Sequence, residues 1–178
     1  AKNRGYDVLV MDSPLTSHIV TKFEQKAENT GYSRVDADTV DKLIEKEDSL
    51  PSKLGEEEQN ALKPVIESVV EKDKFTVQFE SMSEKDQPMI ITQSEFMRRM
   101  KEQQATGGGG GMFGNFPEAY NLVVNSNHPV ISQIVEEKAE DKKKALLSQV
   151  VDLALLSQNM LRGEAMSNFI RRSVDLIK

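Results

Sequence analysis

Apolar positions recur along this chain with two periods, and the change from one to the other marks out its elements. Val8 to Met11 is a short continuous apolar run, as expected of a buried strand. After Ser13 and Pro14, Leu15, Ile19, Val20 and Phe23 share one face of a helix reaching about Glu28, with Pro14 at the first helical position, where a missing N–H costs nothing. Gly31 closes that helix, and Tyr32 to Val35 reads as a second strand. Asp36 to Glu58 is dense in acidic residues and holds Pro51 and Gly55 around a weak helix near Val40 to Ile44. Leu62, Val65, Ile66, Val69 and Val70 then trace a helix from about Glu56 to Glu71. Pro64 belongs in its first turns or marks a kink.

Phe75 to Phe79 alternates apolar and polar residues, the pattern of a half-buried strand, and Met89 to Ile91 is another. The polar residues between them suit a hairpin or a wide loop. Thr92, Gln93, Ser94 and Glu95 match the Thr-x-x-Glu capping box and predict a helix bearing Phe96, Met97 and Met100. It must stop before Gly107 to Gly111, because five glycines lose too much backbone entropy to be held helical. Met112, Phe113 and Phe116 follow on that tether. Ala119 to Val124 is a third strand, Asn125 to His128 a polar turn, and Pro129 opens a short helix with Val130, Ile131, Ile134 and Val135.

The last two segments are the most apolar. Leu146, Leu147, Val150, Val151, Leu153, Ala154, Leu155 and Leu156 make a helix that is hydrophobic nearly all round, and such a helix must be covered all round. Beyond Gly163, Met166, Phe169, Ile170, Val174 and Ile177 form a clean stripe. Two such helices joined by a short loop form a hairpin, and two hairpins related by a two-fold axis complete a four-helix bundle. The alternative from the pattern alone is that both helices pack into the core of a monomer. The class expected is α+β. It comprises a strand–helix–strand remnant of a preceding α/β domain over residues 1–38, an acidic linker over 39–55, and a domain over 56–178. That last domain would hold a small, mainly antiparallel sheet, flanking helices and the C-terminal hairpin.

Composition narrows the chemistry. A net charge of -6 argues against a nucleic-acid surface, and the basic run Lys142 to Lys144 is offset by Glu136, Glu137, Glu140 and Asp141. With no cysteine there is no disulfide or thiolate metal site, and His18 and His128 lack ligand spacing. No apolar run approaches the roughly 20 residues of a membrane span, and no signal peptide opens the chain, so a cytoplasmic location is expected. The chain starts at Ala1 on a strand-like segment and reads as part of a longer protein. Gly107 to Gly111 lacks the Gly-Lys-Ser/Thr ending of a phosphate loop, and Ser13 with His18 lacks the Gly-x-Ser-x-Gly turn of a hydrolase. No catalytic residue is expected.

The order of these elements resembles the heat-shock protein 90 family. Gly5 to Met11, with its following Ser-Pro and helix, looks like the end of that family's middle domain. Asn125 to Pro129, with Ile131 and Ile134, resembles its Asn-Pro-x-His-Pro turn and the helix after it; Ser126 stands where proline is usual. Leu153 to Ser157, and then Phe169 to Arg172, resemble its final dimerisation helices. The resemblance implies a homodimer joined through Leu147, Val150, Val151, Ala154, Leu155, Met166, Phe169, Ile170, Val174 and Ile177. It also implies an upstream ATP- and magnesium-binding domain, so this stretch would hold no cofactor and would not be an enzyme itself. The sequence ends at Lys178 without the acidic Met-Glu-Glu-Val-Asp tail that docks tetratricopeptide co-chaperones, so no such docking is expected; this resembles the bacterial high-temperature protein G branch.

In the family, the helix before the flexible loop contacts partly folded client proteins, which here falls to Phe96, Met97 and Met100, with Met112 and Phe113 beyond. Methionine is unbranched and polarisable, and it repacks against many partner shapes. The bland alternative is that Met97 and Met100 pack on the sheet and the glycine segment is a passive linker. A stand-alone dimeric scaffold without a chaperone parent is the rival to the whole reading.

Overall fold

The computed structural model describes residues 6–13, 15–39, 42, 50–106 and 118–177; the expected helix near Val40 to Ile44 (apart from Lys42), the Gly107 to Gly111 tether, Met112 and Phe113 lie outside them. The class is α+β. The described residues of Ala1–Glu45 and Gln93–Pro117 form one compact unit, and those of Lys46–Thr92 and Glu118–Lys178 form the other.

The first unit holds α1 (Thr16–Lys26) and α3 (Glu95–Thr106). The helix α1 ends when Ala27 turns extended, and Asn29, rather than Gly31, takes the left-handed conformation after it, at φ 57°. Asparagine reaches that region readily because its short polar side chain bonds locally. The expected strands at Val8–Met11 and Tyr32–Val35 are absent. Both segments are irregular, with Val10 85% exposed, since neither has a described strand beside it to complete a ladder. The expected capping box at Thr92 does not form either. Thr92 stays in a strand, the first turn of α3 closes from Arg98 N–H onto the Ser94 carbonyl, and Glu95 is engaged by arginines.

The second unit is built on a three-stranded sheet. Its strands β1 (Phe75–Glu80), β2 (Met89–Thr92) and β3 (Tyr120–Asn125) lie in the order β1-β3-β2. The strand β3 pairs parallel to β1 and antiparallel to β2, so the sheet is mixed and the β1–β2 connection is a wide loop rather than a hairpin. The central place goes to β3 because Leu122, Val123 and Val124 are apolar in succession and can be buried on both faces. Thr76 on β1 points to solvent while Phe75 and Val77 point inward, as an edge strand allows. Phe75 also stacks on Tyr120, its register partner, with ring centroids 5.7 Å apart.

On this sheet pack α2 (Glu56–Glu67), α4 (Pro129–Glu136) and α5 (Glu140–Ser157), through Leu62, Ile66, Ile131, Ile134, Leu147 and Val151. Gly55 N–H donates to Glu58 Oε2 at 2.9 Å at the start of α2, while Pro64 sits in its third turn, near its end and not in the first turns. The helix stops three residues on at Glu67, earlier than the Glu71 expected from its stripe. The final helix α6 (Gly163–Ile177) packs against α5.

Candidate interaction faces

The turn before α4 anchors the second unit. Asn125, Ser126 and Asn127 are almost fully buried, a position polar residues hold only when hydrogen-bonded. Asn125 Nδ2 donates to the Ser83 carbonyl at 2.8 Å, and Asn127 Nδ2 donates to that of Met82 at 3.1 Å. Asn127 Oδ1 accepts the Lys53 amide at 2.8 Å. Ser126 gives both its amide and its hydroxyl to the Glu80 carbonyl, at 2.9 and 3.1 Å. A proline there could make neither bond. His128 then caps α4, with Nδ1 accepting the Val130 amide at 3.1 Å, and burial lowers its pKa from the ordinary 6.5.

Beyond this turn lies the C-terminal helical pair. The helix α5 ends in a Schellman motif: Met160 N–H bonds the Leu155 carbonyl at 2.9 Å and Asn159 N–H that of Leu156 at 3.0 Å. Asn159 takes φ 55° and Gly163 φ 60°, which turns the chain into α6. Two polar links cross between the helices. Gln149 Nε2 donates to Ser173 Oγ at 2.7 Å, and Arg172 pairs with Asp152. Burial raises the Asp152 pKa in spite of that arginine.

The apolar residues of this pair divide into two sets. Leu147, Val150, Val151 and Ala154 belong to the core of the unit, and Leu155 packs against it. Met166 and Phe169 are half-buried. Leu153, Leu156, Ile170, Val174 and Ile177 are exposed, and so is Leu176, which the heptad-like stripe did not single out. The end of α6 is the barest part, with Ile177 at 85% exposure.

In the first unit, α3 presents Phe96 at 67% exposure, with Met97 and Met100 half-buried. Arg99 makes the principal tie. Its Nη1 and Nη2 donate to the two oxygens of Glu24 at 2.8 and 3.0 Å, Nη2 to the Tyr32 carbonyl at 2.8 Å, and Nε to Glu95 at 2.8 Å. Glu24 also accepts the Tyr32 amide at 2.9 Å. The Arg99 hydrogen bonds, then that of Tyr32, bring the Glu24 pKa from the ordinary 4.5 down to about 2. Burial works to raise the Glu95 pKa, but hydrogen bonds from Arg98 and Arg99 outweigh it and hold the group low. No sequence signal marked Glu24 and Arg99, which are 75 positions apart, because a single charged residue on a helix is ordinarily solvated.

Among the described residues no group of His, Asp or Glu is arranged to hold a metal ion, and no helix is long and apolar enough to cross a membrane. No protein-family model matches the chain. Curated relatives do. HtpG chaperone proteins of Bacteroides fragilis (strain 638R), Bacteroides thetaiotaomicron and Porphyromonas gingivalis (strain W83) are each 32% identical to it, over 99% of this chain and 36% of their own length. That of Ehrlichia ruminantium (strain Welgevonden) is 24% identical over 93% of the chain and 27% of its own length. The chain thus spans about a third of the length of the relatives it matches. The alignment with the first three runs over 244 positions against 178 residues here, so those relatives carry internal segments this chain lacks. With that identity along almost its whole length, and with the element order described above, the chain is a homologue of about a third of the length of the HtpG chaperones and matches the bacterial branch of the heat-shock protein 90 family.

Proposed function

We propose that this chain is the C-terminal homodimerisation and client-contact module of an ATP-dependent chaperone that acts in the cytoplasm. ATP and magnesium would be bound by an upstream domain, and no residue described here has a catalytic role. The observation that carries the dimer is the division of the C-terminal pair. One side of α5 is consumed by the core, while Leu153, Leu156, Ile170, Val174 and Ile177 remain exposed on α5 and α6. Exposed apolar side chains gain roughly 25 cal/mol per Å² when covered, and a second copy offers the same residues in a two-fold arrangement. Leu147, Val150, Val151 and Ala154 would act from beneath, by fixing α5.

Sedimentation equilibrium on the wild-type chain and on an Ile170→Asp/Val174→Asp variant tests the reading. A wild-type dimer at micromolar concentration and a variant monomer of unchanged circular dichroism are expected. A wild-type chain that stays monomeric throughout removes the dimer from the function. For client contact, Phe96 with Met97 and Met100 is the proposed surface. Serine at all three should weaken binding of a permanently unfolded protein and leave the dimer intact; unchanged affinity rejects the surface.

A further inference from the structure

The helix α3 lies in sequence between β2 and β3 of the second unit, yet it packs in the first. At 12 residues it is at the length where a helix in water is marginal without tertiary support. Its support comes from the α1 side. Every nitrogen of the Arg99 guanidinium donates a hydrogen bond: two to Glu24 on α1, one to the Tyr32 carbonyl and one to Glu95 in its own first turn. The planar fork matches the Glu24 carboxylate bidentately, which fixes direction as well as distance. Glu24 is held in turn by the Tyr32 amide, and Tyr32 lies against Phe23 with ring centroids 6.4 Å apart. A backbone bond from Gln93 N–H to the Asp36 carbonyl, at 3.3 Å, adds a second tether just before the helix.

Phe96 lies one turn before Arg99, so a guanidinium fixed at both ends also fixes the azimuth of the phenylalanine. We infer that Arg99 is a positioning residue that locks α3 to α1, so that the apolar face carrying Phe96 moves as one body with the Thr16–Asp36 segment. The inference rests on the proposed client-contact role of α3 for its functional meaning, but the lock itself does not.

The test uses hydrogen–deuterium exchange on the 178-residue chain at neutral pH. Glu24→Gln keeps the shape and one acceptor oxygen, and Arg99→Lys keeps the charge and loses the fork. Amides of α3 should exchange about three- to tenfold faster in Glu24→Gln and in Arg99→Gln, with Arg99→Lys recovering part of the protection. Amides of β1, β2 and β3 should be unchanged in all three. Raising potassium chloride to about 1 M should speed α3 exchange in the wild type and have little further effect in Glu24→Gln. Uniformly faster exchange, or none confined to α3, overturns the lock. Binding of reduced, carboxymethylated α-lactalbumin is measured alongside. If Phe96→Ser weakens it and the Glu24 and Arg99 variants do not, the lock has no part in client contact while the surface stands. If Phe96→Ser has no effect, the client reading fails, and the exchange result still judges the lock.

Discussion

His128 accepts the Val130 amide through Nδ1, and only a deprotonated nitrogen can accept. Protonation therefore removes the cap of α4, and burial separately disfavours the charged ring. Because the folded state holds this pKa below the ordinary 6.5, the unfolded chain takes up the proton first as the solution is acidified. Stability should accordingly be full above about pH 6.5 and decline below it, until the folded form titrates too. Urea midpoints at pH 7.5 and 5.5 measure the loss, and His128→Asn, which can still cap, should flatten that difference. Asn127 is a sharper case. Its side chain satisfies both the Lys53 amide and the Met82 carbonyl inside the protein. Asn127→Ala would leave buried groups unpaired, at a cost of about 1–3 kcal/mol by urea denaturation. The sequence showed this turn as polar and as similar to a known one. It could not show that three of its residues are buried, because a run of Asn and Ser is ordinarily a surface turn.

Between elements, the decisive contacts are polar and join residues far apart in sequence. Glu24 has its pKa lowered from 4.5 to about 2, so its bond to Arg99 contributes stability that is complete above pH 4.5 and lost as pH falls towards 2. Acid titration of α3 by exchange or by proteolysis should show this helix loosening first. The Asp152–Arg172 pair behaves differently. Burial raises the Asp152 pKa even with the arginine beside it, so the carboxylate gains little from being charged. Asp152→Asn should cost less than about 1 kcal/mol. Arg172→Ala, which strands a carboxylate of 17% side-chain exposure, should cost about 2 kcal/mol in thermal or urea unfolding. Where α5 ends, Asn159 sits at φ 55°, a region glycine enters without strain. Asn159→Gly should raise stability by a few tenths of a kcal/mol, and Asn159→Val should lower it by about 1–2 kcal/mol, both read from melting curves.

At the scale of the whole molecule, the periodicity of apolar residues determined a good deal. It marked α1, α4, α5, α6 and the three strands of the second unit to within a few residues, because each must bury a face whose spacing is set by its own geometry. The α+β class followed from the same pattern, and the ordered set of segments carried the family resemblance. Strand partners were not legible. Nothing local distinguishes a β1–β2 hairpin from a sheet in which β3 enters between them, and the burial of β3 on both faces decided it. The N-terminal apolar runs were legible as strands by composition alone, but a strand exists only where another completes its hydrogen bonds, and none lies beside them among the described residues. For the C-terminal pair, the sequence showed a helix apolar nearly all round and a second striped one, and left open whether a monomer core or a second copy covers them. Only the tertiary structure decided which part the chain covers itself, Leu147, Val150, Val151 and Ala154, and which part it leaves bare, Ile170, Val174 and Ile177. Hydrophobicity is a property of the residue, whereas cover is a property of its neighbours.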